Sequence, residues 1–436
     1  MNLRNNSKIH ASIGFSRKWD AQEAGREVVQ SALKNLETPP SFFLLFSTIH
    51  YKDHGGFQEF LNAALDVLPE GTPLIGGTIA SFINNYGCYA RGAAALAVSY
   101  PNMDITVGYG IRAKRNPKKA ARNCANMIRK ELEKSSYKNK FLINMISAPI
   151  IPKIPFMGEV NNVKSRFYGA MLTYIGMPIA HYFGTGIGKE QDVIEQLALS
   201  LPEYYMIGGS SVDDGRMLSN YQFIGGNILS NSITALACST DIPVFLKAQI
   251  AVHKTEKKFK ITDATYHDYI VKKIENKSAS NYFLKEILEI PPELFYTLGP
   301  FYYKTSDYFP MTFEENNEHV LGVGSLLGNN ILLSHKMAGK NVVMCTTNGN
   351  EILRVIDSLF LDYNKAFPFL FISSSTIYSF ILRNKTVKIK EILDKQLGDI
   401  PYLMIQPIIE NIYIPGKKPV ARAYSTNTLS LLEGGV

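Results

Sequence analysis

Cysteine is scarce: Cys88, Cys124, Cys238 and Cys345 are scattered over 436 positions, and no two form a C-x-x-C pair. That spacing excludes a zinc ribbon and a disulfide framework, and it reads as the reduced thiols of a cytoplasmic protein. Tryptophan is scarcer still, with Trp19 alone against 24 Tyr and 24 Phe. No apolar run is long enough to cross a bilayer. The uncharged stretch 366–382 is broken by Pro368 and carries Ser373, Ser374, Ser375, Thr376 and Ser379, short of the ~20 apolar residues a spanning helix needs. The first ten residues are polar and basic, without the apolar segment of a signal peptide. G-x-S-x-G is missing, and no cysteine stands beside a histidine, which points away from a nucleophilic enzyme.

What is present is an ordinary globular composition, 46% hydrophobic and 19% charged, with length for two to three domains. The net charge of +8 is concentrated in local runs around Arg112–Lys119, 254–260 and 385–390. No interleaved aromatic stripe or nucleic-acid motif accompanies them, so they read as solvated faces, with no nucleic acid and no membrane insertion.

Hydrophobic periodicity alternates between helix and strand. Residues 20–36 place Ala21, Ala24, Val28, Val29, Ala32 and Leu33 on one helical face. Residues 42–49 form a continuous apolar run, the mark of a strand buried on both sides. A helix at 57–68 and a strand ending in Ile75-Gly76-Gly77-Thr78 follow, then strands at 92–99 and 104–110 and a basic helix from Pro117. The pattern then restarts, with a strand at 141–147, a helix at 191–201 and a strand ending in Ile207-Gly208-Gly209-Ser210. Ala95-Leu96-Ala97-Val98-Ser99 is matched by Ala235-Leu236-Ala237-Cys238-Ser239, and Asp104-Ile105 by Asp241-Ile242. Three matches in one order predict a duplicated mixed α/β unit, with copies at about 20–135 and 136–265. Downstream, 266–288 reads as a helix, short strands lie at 320–333 and 341–346, and helices at 349–361 and 387–397 flank a strand at 367–374. Strands at 401–406 and 422–432 close the chain. The lysine-rich 254–260 is the expected seam.

These residues resemble the FIST family of sensory domains, in which a strand ending in G-G-S-S is followed by D-x-G and a Q-F strand. Here that reads Gly208-Gly209-Ser210-Ser211-Val212-Asp213-Asp214-Gly215, then Tyr221-Gln222-Phe223, with Gly76-Gly77-Thr78 similar to the family's first glycine turn. The carboxy-terminal part is similar in element order to a FIST C domain. Ile409-Glu410 and Ser425-Thr426-Asn427-Thr428 keep that domain's Glu and final Thr but not its Gly and Asn, and Ser373-Ser374-Ser375 occupies the place of its Cys-x-x-Arg. The resemblance implies a mixed α/β fold with a FIST N domain at 1–265 and a FIST C domain at 266–436. It implies a cytoplasmic sensor of a small ligand, amino-acid-like, reporting to a separate signalling output protein. No cofactor is expected, although a subset of the family binds haem, for which His181 and His253 are the candidate ligands.

The candidate site follows from chemistry at strand ends. Ligands gather at the carboxyl ends of strands in α/β sheets, where glycine permits close approach and backbone amides are free. Gly76, Gly77, Thr78, Gly208, Gly209, Ser210 and Ser211 are therefore expected to offer amides and hydroxyls to a polar ligand. The alternative is a tight turn needing positive φ. Asp213 and Asp214 are candidates for a ligand amine, or else turn residues. Glu410 is a candidate counter-charge, or else a surface carboxylate, and Thr428 is added by the resemblance alone. His50, Asp53 and His54 lack further ligands for a metal. The stretch 184–190 fails the phosphate-loop template, with Phe183 for its first Gly and Glu190 for its Ser/Thr. An enzyme acting on a small polar metabolite, or a ligand-free adaptor, is the other reading.

Overall fold

A computed structural model describes residues 8–150, 162–182, 185–186, 189–266, 268–297, 307–315, 318–334, 336–337, 339–360 and 367–432. Its plan is one unit written three times. The unit consists of an opening strand, a helix, a central strand, a second helix, a partner strand, a short hairpin and a closing strand. In the first copy these are His10–Ser16, Ala21–Leu33, Phe42–Ser47, Phe57–Leu65, Leu74–Thr78, Phe82–Asn84 with Gly87–Tyr89, and Ala93–Ser99. In the second they are Met103–Ile111, Pro117–Leu132, Asn139–Ser147, Lys189–Ser200, Tyr205–Ser211, Gln222–Ile224 with Asn227–Leu229, and Ser232–Thr240. In the third they are Val244–Ile250, Gly349–Ser358, Leu370–Ser374, Val387–Leu397, Tyr402–Ile405, Glu410–Tyr413 with Val420–Arg422, and Ser425–Leu431.

Each copy builds one six-stranded sheet in the order opening, closing, central, partner, with central and partner strands parallel and the rest antiparallel. The hairpin does not join its own sheet. The second copy's hairpin pairs with the first partner strand, the third copy's with the second, and the first copy's with the third. This cyclic exchange stitches the three sheets into one body, and it crosses the expected boundary at 265/266.

Alternation along the strands explains the layers. Phe42, Leu44 and Phe46 face inward, into a core shared by all three sheets, while Phe43 and Leu45 face the helices outside. Phe141 and Phe369 occupy the positions equivalent to Phe42, and their ring centroids lie 6.3 and 6.4 Å from it, tilted edge to face. Because both sheet faces are covered, the central strands are apolar at every position rather than at every second one.

The third copy is interrupted after its opening strand. Between 252 and 347 the described residues build a separate sheet around His253–Thr265, Ile270–Ile274 and Asn341–Thr346, with its own core of Phe259, Val271, Phe283, Phe313 and Val342. The helix expected at 266–288 is here a strand, Ile270–Ile274, followed by a short strand Lys277–Ser278, with helix only from Ala279. Glu275 and Asn276 both take positive φ, the signature of a two-residue hairpin turn that overrides the helical spacing of the apolar residues.

The paired glycines are interior strand residues with ordinary negative φ, not turn residues. A Cβ at Gly208 would overlap the carbonyl and side chain of Asn144 on the adjacent strand, and one at Gly76 would overlap the carbonyl of Leu45. Their role is close backbone approach. Gly208→Ala is expected to cost about 2–3 kcal/mol through overpacking, read as a lowered urea midpoint at constant slope. Gly226→Ala, which meets only the flexible Leu65 side chain at 3.3 Å, leaves the midpoint in place.

Candidate functional site

At the carboxyl ends of the three central strands, equivalent hydroxyl residues close each unit. Thr48, Ser147 and Ser375 accept a backbone N–H from the turn before the closing strand, from Gly92 at 3.0 Å, Asn231 at 3.2 Å and Tyr424 at 3.3 Å. Beside them stands the first residue of each exchanged hairpin, in register with Ile405, Gly77 and Gly209 of the receiving strand. Those residues are Phe82, Gln222 and Glu410. Each faces the start of its own closing strand. Gln222 accepts from Ser232 Oγ at 2.6 Å, and Glu410 accepts from Ser425 N and Oγ at 3.3 Å. Phe82 lies over Gly92, where a Cβ would meet its ring at 3.5 Å. One structural position thus carries an aromatic, an amide and a carboxylate.

The three environments differ in how completely they are satisfied. Gln222 Nε2 reaches Ser211 Oγ and Asn220 Oδ1, and Asn220 also receives Ser147 Oγ at 2.7 Å, so this network is closed. Glu410 is fully buried, and its Oε1 has no hydrogen-bond partner. Arg422 is its cross-strand neighbour in the hairpin and is 8% exposed. Arg422 donates one N–H to the carbonyl of Glu318 at 3.4 Å, and its Nε has no partner. Burial holds the Glu410 carboxyl well above the usual carboxylate range and draws the Arg422 guanidinium down. Tyr378 lies within electrostatic reach of both, accepts from Ala251 N at 3.3 Å and donates to the Tyr424 carbonyl.

A second buried carboxylate sits on the other face of the same partner strand. Glu190, on helix Lys189–Ser200, accepts from Ser210 Oγ at 3.4 Å, and burial pushes it up to about 7. Lys114 is also buried and is pulled down to about 8 by desolvation, with Glu190 acting against that shift. Of the glycine-rich stretch around it, 183–184 and 187–188 lie outside the described residues.

The expected site residues fall into different roles. Gly76, Gly77, Gly208 and Gly209 are flanked by strands on both sides, so their amides belong to the sheet and are not open to a ligand, contrary to expectation. Thr78 N donates to Tyr221 O at 2.9 Å, and Ser210 N to Ile409 O at 2.8 Å. Ser211 Oγ donates to Ile146 O at 3.2 Å. Asp213 is buried and accepts four backbone N–H groups, from Gly215, Met217, Leu218 and Ser219 at 2.7–3.2 Å. Both its oxygens organise the loop, which leaves none for a ligand amine. Asp214 forms an exposed ion pair with Arg216 at 3.2 Å. Thr428 donates to Lys247 O at 3.4 Å inside the third sheet. Glu410 is not a surface carboxylate: it sits in the interior opposite Gly209.

Sequence reasoning passed over Arg422, Ser425, Tyr378 and Gln222. Arg422 was within reach: Pro415-Gly416 and Pro419 mark a turn, and folding residues 410–422 back on it sets Arg422 opposite Glu410. Among the histidines, His50 Nδ1 meets Thr48 Oγ1 at 2.8 Å, and burial with Arg91 lowers it to about 4. His253 Nε2 is engaged by Glu351 at 2.7 Å. The His181 side chain lies outside the described residues. Among the described residues no group of three or more His, Cys, Asp or Glu could hold a metal, all four cysteines are free, and no helix is long and apolar enough to cross a membrane.

No curated protein matches the chain. Two solved structures bear a distant likeness. Cyanuric acid hydrolase from A. caulinodans is 9% identical with a TM-score of 0.26, over 53% of this chain and 71% of that one. PurLQS from Thermotoga maritima is 10% identical with a TM-score of 0.20, over 99% of this chain and 73% of that one. Neither likeness bears on fold or activity. The family model described as FIST N domain matches residues 41–277, more than half of the chain, and the chain therefore belongs to the FIST family of sensory domains.

Proposed function

We propose that the chain is a cytoplasmic sensor of a small zwitterionic metabolite of the amino-acid class, bound at Glu410 and Arg422. One observation carries this reading: an acidic and a basic side chain on adjacent strands, both buried, each keep a polar atom without a partner. A buried polar atom left without a partner costs about 1–3 kcal/mol, and a ligand that completes both groups recovers that cost. Cross-strand neighbours stand ~5 Å apart at Cα, a spacing suited to the ammonium and carboxylate borne by one α-carbon. Arg422 offers a planar fork to the ligand carboxylate, and Glu410 receives the ammonium. Ser425 orients Glu410 through its N–H and Oγ, and Tyr378 lies within electrostatic reach.

Proton linkage accompanies binding. Burial raises Glu410 well above the usual carboxylate range, and an arriving ammonium pulls in the opposite direction by favouring the ionised form, so ligand affinity is expected to depend on pH. Output goes through Arg422, because the Glu318 carbonyl it contacts lies in the turn between strands Met311–Phe313 and Val320–Leu321 of the inserted segment. A ligand competing for the guanidinium alters that contact and presents the change to a separate signalling protein.

Thermal-shift screening of the full chain against the amino acids and their simple amine and carboxylate analogues tests this. A saturating zwitterion is expected to raise the melting temperature by several degrees. Glu410→Gln and Arg422→Gln should each weaken that ligand at least tenfold. A panel in which no zwitterion shifts the wild-type chain, or one in which both variants respond as wild type does, sinks the proposal.

The two raised carboxylates also make stability pH-dependent in a defined direction. Above about pH 4.5 the unfolded chain releases protons that the folded chain retains on Glu190, up to about 7, and on Glu410. Stability contributed by these groups is complete below the unfolded pKa and falls by about 1.4 kcal/mol per pH unit for each as pH rises through this window. Denaturant midpoints at pH 5, 6 and 7 should therefore decline, and Glu190→Gln or Glu410→Gln should each flatten the decline.

A further inference from the structure

Helix Arg166–Met171, the π-turn Leu172–Gly176 and helix Met177–Tyr182 form one continuous rod. One side is seated on the inserted sheet. Gly169 lies against Leu327 and Gly328, Asn330 Nδ2 donates to Thr173 Oγ1 at 2.9 Å, and Met177 joins a small core with Tyr269 and Ile270. The opposite side is also apolar, and among the described residues it stands exposed. Phe167 is 74% exposed, Tyr174 and Ile175 57% each, Ile179 50%, Tyr168 48% and Met171 40%. Together these six side chains leave roughly 600 Å² of apolar surface in water, the upper end of what a soluble monomer shows as its largest patch. A helix apolar on both sides is one that something else covers.

The rim of this face identifies what covers it. Residues 162–182 contain no Asp or Glu, and Lys164 and Arg166 stand exposed at the start of the rod. At its other end the Arg115 guanidinium lies 5.0 Å from the centre of the Tyr182 ring. Beyond it helix Pro117–Leu132 exposes Lys118, Lys119 and Arg122. The described ion pairs involve none of these six cations. A second copy docked through this face would set Lys164 and Arg166 against a like-charged rim, which opposes association. Beside Tyr174 an acidic neighbour, Asp263, is paired with Lys272 at 2.8 Å. Tyrosine, phenylalanine and isoleucine with a predominantly basic margin match instead the composition of helices that lie in the headgroup layer of acidic lipid.

We propose that this face is a membrane-contact surface that seats the protein on an anionic bilayer, its rings at headgroup depth and its cations over the lipid phosphates and carboxylates. The contact is peripheral, and it supplies a use for the excess positive charge that a solvated face does not.

Co-sedimentation of the full chain with vesicles tests it, using phosphatidylcholine alone and phosphatidylcholine with about a third phosphatidylserine. Binding is expected to the anionic vesicles and to be lost near ~0.5 M salt, where screening is short-ranged. Phe167→Ser with Ile175→Ser, and separately Lys164→Glu with Arg166→Glu, should each lower partitioning about tenfold. These positions are exposed, so melting temperatures stay at the wild-type value and a loss of binding is not a loss of fold. The proposal is overturned by absence of binding to anionic vesicles, or by binding that either double variant leaves intact. It is equally overturned by a dimer in light scattering that Phe167→Ser with Ile175→Ser converts to monomer, since the face then belongs to a second copy.

Discussion

Three sheets share one apolar interior, and that interior is the constraint on which everything else in the molecule rests. No single sheet covers its own inner face, so Phe42, Phe141 and Phe369 are buried only when all three copies are assembled. The exchanged hairpins follow from the same requirement. Each sheet is extended at its partner strand by two strands that another copy supplies, and backbone pairing then adds to side-chain packing in holding neighbours together. Stability is therefore a property of the whole set of copies, not of a domain at either end.

This architecture explains why a polar position can diverge without disturbing the fold. Phe82, Gln222 and Glu410 occupy one structural position, and each is matched by what stands at the start of its closing strand: Gly92, Ser232 or Ser425. The aromatic and the amide are fully accommodated. Glu410 alone retains an oxygen without a partner, with Arg422 beside it in the same condition. A buried acid and a buried base with unsatisfied atoms are difficult to account for as stabilising elements, because desolvation outweighs their interaction unless hydrogen bonds complete them. A repeat that had selected only for stability would have placed a second phenylalanine there.

Much of the fold was legible in the sequence because local pattern and tertiary context agree. The continuous apolar run at 42–49 meant burial on both faces, and the structure covers it on both. Asp20 caps helix Ala21–Leu33 by accepting from Glu23 N at 3.0 Å, as its place before an apolar-periodic segment indicates. The third copy escaped notice for physical reasons. Residues 252–347 separate its opening strand from the rest, and its partner strand ends in Ile405-Gln406-Pro407, without the Gly-Gly pair that marks the other two copies. The paired glycines drew attention to the correct strand ends but for a different reason: they admit a neighbouring backbone, not a ligand.

By itself the sequence determined the alternation of helices and buried strands, the repetition of a unit, and the family to which the chain belongs. Each of these is written in spacing and residue type within a few tens of positions. Only the tertiary structure decided which carboxylates matter. Asp213 and Glu410 are chemically alike along the chain, yet one is saturated by four amides of its own loop and the other is stranded in the interior across from Arg422. Burial and pairing depend on which segments meet in space, and the exchange of hairpins between copies brings together residues as far apart as Gly209 and Glu410. That separation is invisible to any reading of local pattern.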